Sequence, residues 1–477
     1  MLDESLPRLD DKSRQQPPAP ANELLFVAMS SLLDQSALTD LAERLVAAAR
    51  RAGADAADAL ALRSVSLAVE VREAAIEESE RSEGDDVGLR VFVGRRQAVV
   101  STNDIKADAA ELAQRAVAMA RAAPDDPFAG LADPDRLAHD FPDLDLLDPN
   151  LPSVAELEER ARRAESAALA VQGVTTSGGA SASAGIGGMV LVTSHGFRGA
   201  YLSSGQSVAM TAIAGEGTAM ERDYDYSSTV HGADLQSPEK VGRTAGERAV
   251  ERLNPRKVKS KRVPVVFDRR VAGSLVGHLA SAVNGTAVAR KTSFLKDRLG
   301  ERLFRPGIHV LDDPHRLRGL RSRPFDAEGV ATKRLAVVED GVLASWLLDS
   351  ATARELGSAT TGHAQRGVSS APSPGPSNLH LAAGGATPEA LMADIAEGFY
   401  VTDLIGVGVN YVTGDYSRGA SGFWMENGKR SYPVSEVTIA GNLIDMFQVL
   451  FPANDLEFRF ATNAPTVRVE GLTVGGR

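Results

Sequence analysis

Helix-period and strand-period stretches follow one another along this chain without the regular strand–helix–strand repeat that builds a parallel sheet. That pattern points to an α+β fold. The expected arrangement is an N-terminal α/β domain with helices on a mixed sheet, then a C-terminal β-rich domain with a few helices. In the first half, Leu38, Leu41, Leu45, Val46 and Ala49 recur at helical spacing, with Thr39 or Asp40 to cap the start and Gly53 to end it. "SLAVEVREAAIEES" then alternates as a strand, and "VGLRVFVGRRQAVVSTND" reads as a hairpin turning at Gly94 and Arg95. Residues 105–122 and 154–171 are expected helices, separated by an Asp/Pro-rich connector at 132–152.

The style changes at residue 174. "VTTSGGASASAGIGGMVLVTSHGFRGAYLSSGQSVAMTAIAGEG" is Gly/Ser-rich and reads as short β runs joined by hairpin turns. A Gly-rich run cradles phosphate only in a strand–turn–helix context with a partner such as Gly-Lys-Ser, and neither is present. A helix at 238–253 and the basic stretch "NPRKVKSKR" follow, and they mark the domain boundary. The expected division is a disordered tail at 1–32, one domain at 33–253 and another at 254–477. Met29 reads as an ordinary start, with the residues before it a loose tail.

Composition narrows the function. A net charge of −11 argues against general binding to nucleic acid or to membrane surfaces. The chain has no cysteine, so disulfides and thiolate sites are excluded and any metal would need His, Asp or Glu. No apolar run reaches the roughly 18 residues of a membrane span. "LLFVAM", Leu24 to Met29, follows acidic and Pro-rich sequence and makes a poor signal peptide. The expected location is cytoplasmic.

"GSLVGHLASAVNG", Gly273 to Gly285, is the expected helix where catalysis would be sought. Val271, Leu275, Leu279 and Ala282 form its apolar stripe, and His278 falls on it. A lone histidine there is ordinarily a core residue. None of the other histidines forms an HExxH motif. His363 lies in "ATTGHAQRG", a polar loop in which an exposed histidine without a role is the plain expectation. There is no GxSxG elbow. Gly414, Gly419 and Gly422 surround Asp415, Tyr416, Ser417 and Arg418, a density of glycine that lets backbone or ligand approach closely. Arg418 could clamp a carboxylate; the plain alternative is a structural turn in which Asp415 pairs with Arg418.

"TGDYSRGASGFWMENGKRSYPVSEVTIAGNLIDMF" resembles the end of the TldE/PmbA branch of the TldD/TldE family, and "GSLVGHLASAVNG", "RKTSFLKDRLG" and "TTGHAQRG" fit the same branch in the same order. The resemblance covers about residues 33–477. It implies a metallopeptidase family, also called modulator of DNA gyrase, whose TldD-type subunit holds zinc through HExxxH and a cysteine. It also implies a cytosolic heterodimer that encloses a chamber for unfolded peptides, trims peptide leaders and degrades small proteins. Where the zinc subunit has HExxxH, this chain reads "GSLVGH": Gly273 and Ser274 replace the first histidine and the glutamate, and His278 remains. The expectation is therefore a subunit with no catalytic or metal-binding residues of its own, with zinc in its TldD-type partner. His278, His363, Gly414, Asp415, Tyr416, Ser417, Arg418 and Gly419 are the candidates for holding substrate. An autonomous metallopeptidase with an unrecognised metal site and a homodimeric, chaperone-like peptide binder are the alternatives. A homodimer is also plausible when the subunit is isolated.

Overall fold

The computed structural model describes residues 35–476. The tail expected at 1–32 lies outside the described residues. Helix α1 (Ser36–Arg51) begins three residues before the expected cap. Thr39 is inside it, with its hydroxyl donating back to the Gln35 carbonyl. Helix α2 (Ala109–Ala122) starts later than residue 105 because the Asp108 carboxylate accepts from the Ala110 N–H and fixes the first turn there. Helix α3 (Val154–Leu169) opens with a capping box between Ser153 and Glu156. Helix α4 (Pro238–Glu251) carries proline in its first turn.

These helices cover a six-stranded sheet of β1 (Ala56–Arg72), β2 (Ala75–Val93), β3 (Arg96–Thr102), β4 (Val174–Thr193), β5 (Arg198–Ala214) and β6 (Glu221–Thr229), in the order β3-β2-β1-β4-β5-β6. The α+β class holds, with one correction: every ladder of this sheet is antiparallel rather than mixed. The chain reverses at each strand end through a short turn or returns from helices, so no parallel crossover is needed. "SLAVEVREAAIEES" is not one strand. It folds back at Glu73 and Ala74, whose φ values are 50° and 59°. Nothing in Glu-Ala signals such a turn. The buried Glu165 carboxylate of α3 accepts from both turn N–H groups, at 2.8 Å each, and offsets the backbone strain.

The Gly/Ser-rich region is a single long hairpin of β4 and β5 rather than several short ones. Its small residues alternate, and Ala180, Ala182 and Ala184 turn inward beneath α3 and α4. Small side chains also bring those two helices together. A Cβ on Gly242 of α4 would lie 1.9 Å from the Ala164 carbonyl oxygen of α3.

The second half has two sheets. One runs β16 (Lys429–Asn442), β15 (Asp415–Glu426), β14 (Glu397–Ile405), β7 (Lys261–Phe267), β19 (Val467–Gly475) and β17 (Leu450–Pro452). Its β7–β14 pair is parallel, and β16 also pairs with β19, so the sheet closes on itself. The other runs β10 (Val342–Leu343), β9 (Leu335–Glu339), β8 (Val310–Asp312), β13 (Leu379–Leu381) and β18 (Thr462–Asn463), with β13–β18 parallel. A pair of two-residue strands, β11 (Ala364–Gln365) and β12 (Ser373–Pro374), stands apart. The Asp-Gly and Asn-Gly pairs of the sequence turn as hairpins: Asp340 and Gly341 have φ of 47° and 79°, and Asn427 and Gly428 have 51° and 75°.

Helix α5 (Arg269–Ala282) packs against β13, β14 and β18. Leu275, Leu279, Ala282 and His278 are buried, as the apolar stripe predicts. Among the described residues no helix is long and apolar enough to cross a membrane.

Candidate functional site

Strand β6 reads "ERDYDYSST" and inverts the usual alternation. Asp223 and Asp225 turn inward and are buried, while Tyr224 faces out. The acids are buried because four arginines from three segments of the chain meet them. Arg270 of α5 donates to both Asp223 oxygens, at 2.6 and 2.9 Å, and Arg252 donates to the same carboxylate at 3.2 Å. Arg248 and Arg459 donate to Asp225 at 3.0 and 3.1 Å. Burial alone would raise the Asp223 carboxyl, but the Arg270 bonds and charge outweigh it and hold it below the ordinary range. This ladder fastens β6 of the first half to α5 and the C-terminal segment of the second.

A cleft of about 450 Å³ opens beside that joint. Tyr224 and Tyr226 of β6, Gly273 and Ser274 of α5, and Arg321, Arg418 and Phe460 are among the residues that line it. Buried beside it is a small polar cluster. His278 Nδ1 lies 2.9 Å from the Tyr411 hydroxyl, and its ring stands edge-on to Tyr416 at 5.8 Å. His278 Nε2, the Tyr416 hydroxyl and Arg418 Nε are all buried without a hydrogen-bond partner. Burial, and then the Arg418 charge, push His278 down to about 4, so the imidazole is neutral at physiological pH.

A hydrolytic zinc takes three protein ligands and an open position for water. The residues present do not fit one. A Cβ on Gly273, where the family resemblance places the first histidine, would lie 2.9 Å from the Thr462 carbonyl oxygen, so backbone already fills that direction. The Ser274 hydroxyl donates to the Val271 carbonyl at 2.6 Å. Arg418 brings a positive charge close to the remaining histidine. Among the described residues no three His, Asp or Glu side chains are grouped to hold a metal. Restoring the motif by Gly273→His with Ser274→Glu is expected to give a folded chain without stoichiometric zinc. Overpacking against Thr462 should cost about 1–3 kcal/mol of stability. Elemental analysis and thermal melting check this; one zinc per chain would contradict it.

The other candidate residues are placed unequally. Arg418 lines the cleft, and His278 and Tyr416 lie against it. Asp415 does not pair with Arg418. It accepts from Thr413 at 2.6 Å and from Asn442 at 3.2 Å, which braces the turn at Gly414, where φ is 84°. Ser417 donates its N–H to the Gly408 carbonyl, and Gly419 pairs in register with Ile405. His363 is not an exposed loop residue. It is buried, with Nε2 3.1 Å from Asp312, whose carboxylate also accepts from the Ser377 hydroxyl. The serine bonds to the aspartate and not to the histidine, so this trio has no activated nucleophile. Tyr224, Tyr226, Arg321 and Phe460 are cleft residues that sequence reading passes over. The repeated "DY" of β6 is the one local signal, and it becomes legible only once arginines far along the chain are known to face its acids.

Three family profiles match the chain: PmbA/TldA metallopeptidase domain 1 over residues 57–120, the central domain over 147–253 and the C-terminal domain over 260–476. It is 40% identical to Metalloprotease PmbA of Escherichia coli O157:H7, across 89% of this chain and 93% of that one. A crystal structure described as a putative modulator of DNA gyrase, from Bacteroides thetaiotaomicron, superposes with a TM-score of 0.85 at 28% identity, across 92% of this chain and 98% of that one. TldE from Thermococcus kodakarensis shares the fold, with a TM-score of 0.81 at 20% identity, across 91% of this chain and 100% of that one.

Proposed function

The chain belongs to the PmbA/TldD metallopeptidase family, and on that premise we propose that it is the non-catalytic subunit of a cytosolic, heteromeric zinc peptidase acting on unfolded peptides. A TldD-type partner would supply the zinc, and this chain would complete the chamber and hold the substrate. The observation that carries the reading is the state of helix α5. Its first ligand position is a glycine closed off by the Thr462 carbonyl, the position of the motif's glutamate is a serine bonded to its own helix, and its surviving histidine sits beside Arg418. A zinc hydrolase needs a metal-polarised water and a general base to deprotonate it, and this site offers a single buried imidazole of lowered basicity beside a cation instead. Leader-peptide processing and small-protein degradation are the corresponding roles for the complex.

The description of its relatives as metalloproteases favours a second reading, an autonomous peptidase. Metal content and peptide cleavage separate the two, measured on the purified chain alone and after co-purification with a TldD-type partner. The expected result is no zinc and no cleavage from the chain alone, with both present in the complex. Stoichiometric zinc and cleavage by the chain alone would overturn the subunit reading.

A further inference from the structure

The cleft does not end at its rim. Phe460 packs 5.4 Å from Tyr226 and also lines an adjoining hollow of about 310 Å³, with Phe458, Leu317 and Leu320. Those last three side chains are exposed to solvent. The two hollows share Phe460 and meet at the adjacent residues Leu320 and Arg321, so they form one groove.

The charges of that groove do not balance. Its acids are already engaged: Asp403 pairs with Arg252 at 3.5 Å, and Asp234 with Arg318 at 3.1 Å. Arg270 is taken by Asp223. Three arginines are left over. Arg316 lies on the Phe458 ring, 3.4 Å from its centroid. Arg418 reaches only the Leu404 carbonyl, at 3.4 Å, and its Nε is buried without a partner. Arg321 is held through its backbone N–H to Asn378 and stands exposed. Among the described residues none of these three guanidinium groups forms an ion pair.

We infer that this groove binds an extended peptide segment rich in Asp and Glu, whose carboxylates meet Arg316, Arg321 and Arg418 while its backbone and apolar side chains rest on Tyr226, Phe460 and Phe458. This rests on the peptide-binding reading above and adds a specificity to it. Guanidinium–carboxylate pairs are the strong, geometrically selective form of charged hydrogen bond. Three cations spread over two hollows cannot all be met by one terminal carboxylate, so acidic side chains are the ligand and not a free C-terminus. The net charge of −11 repels acidic peptides in general, which confines their binding to this local surplus of arginine.

The test is fluorescence anisotropy on the full-length chain. The probes are short labelled peptides alternating Glu with Ala or Gln with Ala, each with a free or amidated C-terminus, and a labelled oligothymidylate. The Glu peptide should bind at least about ten-fold tighter than the Gln peptide, as expected for even one charged hydrogen bond. Amidation should change little, and raised salt should shrink the difference. Arg418→Gln should remove much of the preference. Arg321→Gln is on an exposed residue that leaves folding intact, and it should remove part of it. Equal binding of Glu and Gln peptides would overturn the inference while leaving peptide binding itself standing. Binding of neither peptide would sink both for the isolated chain. A preference abolished by amidation would identify a terminal carboxylate instead, and tighter binding of the oligothymidylate would identify a nucleic-acid groove; either result overturns the inference.

Discussion

Asp223→Ala is expected to destabilise the protein by about 3–5 kcal/mol, the range for breaking a buried ion pair by removing one partner. Asp223 is the shared acceptor for Arg270 and Arg252, and all three side chains are largely shielded from solvent. Without the carboxylate, Arg270 loses its ion-pair partner in a poorly hydrated joint, while Arg252 keeps only the longer contacts to Glu221 and Asp403, at 3.7 and 3.5 Å. Asp223→Asn should cost less, because the amide oxygen can still accept a bond. Combining Asp223→Asn with Arg270→Met should recover part of the loss, since the paired charges disappear together. Urea unfolding followed by tryptophan fluorescence measures this, because Trp346 and Trp424, the two tryptophans of the chain, both lie buried in the second half. The cleft gives a second readout. Arg270 also stacks on Tyr224, 5.5 Å from the ring centroid, so the variant should bind peptide less tightly even where it remains folded. A variant as stable as the parent would show that the ladder at β6 is not the joint between the two halves.

Asp58→Ala should cause a loss of similar size, about 3–5 kcal/mol, at a different contact between the halves. Asp58 of β1 accepts from Arg90 at 2.9 and 2.5 Å and from Arg366 at 2.6 Å. Burial would raise its carboxyl, yet the charges of Arg366 and Arg90 hold it below the ordinary range. Arg366 reaches Asp58 from more than three hundred residues away in sequence, and its Nε and Nη2 are buried without other partners. Glu328 cannot stand in for the lost acid. It lies 3.9 Å from Arg90, farther than Asp58, and burial together with the charge of Asp326 raises its carboxyl, so it answers the guanidinium less well. The loss should therefore exceed that of an exposed control pair such as Arg163→Ala at the Arg163–Glu239 bridge, where the expected change is under about 1 kcal/mol. Thermal melts of the two variants side by side check the ordering; equal shifts would mean that the Asp58 cluster is hydrated in solution.

Elements with their own periodicity or their own turn chemistry were legible from the chain alone. The apolar stripe of α5 and the Asn427–Gly428 turn are local, because a helix face or a positive φ is decided by residues a few positions apart. The turn at Glu73 and Ala74 was not legible, because its support comes from Glu165, some ninety residues on. The length of the β4–β5 hairpin was hidden for a related reason. Its Ala, Ser and Gly residues look like loop until α3 and α4 give the small ones something to pack against.

The candidate site divides along the same line. The sequence by itself determined the α+β class, the absence of cysteine ligands, the family pattern and the missing histidine and glutamate at Gly273 and Ser274. Each of these is a property of residue identity at a given place in the chain. Only the tertiary structure decided that Gly273 faces the Thr462 backbone, that Arg418 and not Asp415 reaches the cleft, that His363 is buried, and that Tyr224, Tyr226 and Phe460 line the cleft together. These depend on which distant segments come together, and above all on the arginines from α4, α5 and the C-terminal segment that bury Asp223 and Asp225 and turn the tyrosines of β6 outward. Burial of a charge follows from its partner, and the partner lies elsewhere in the chain.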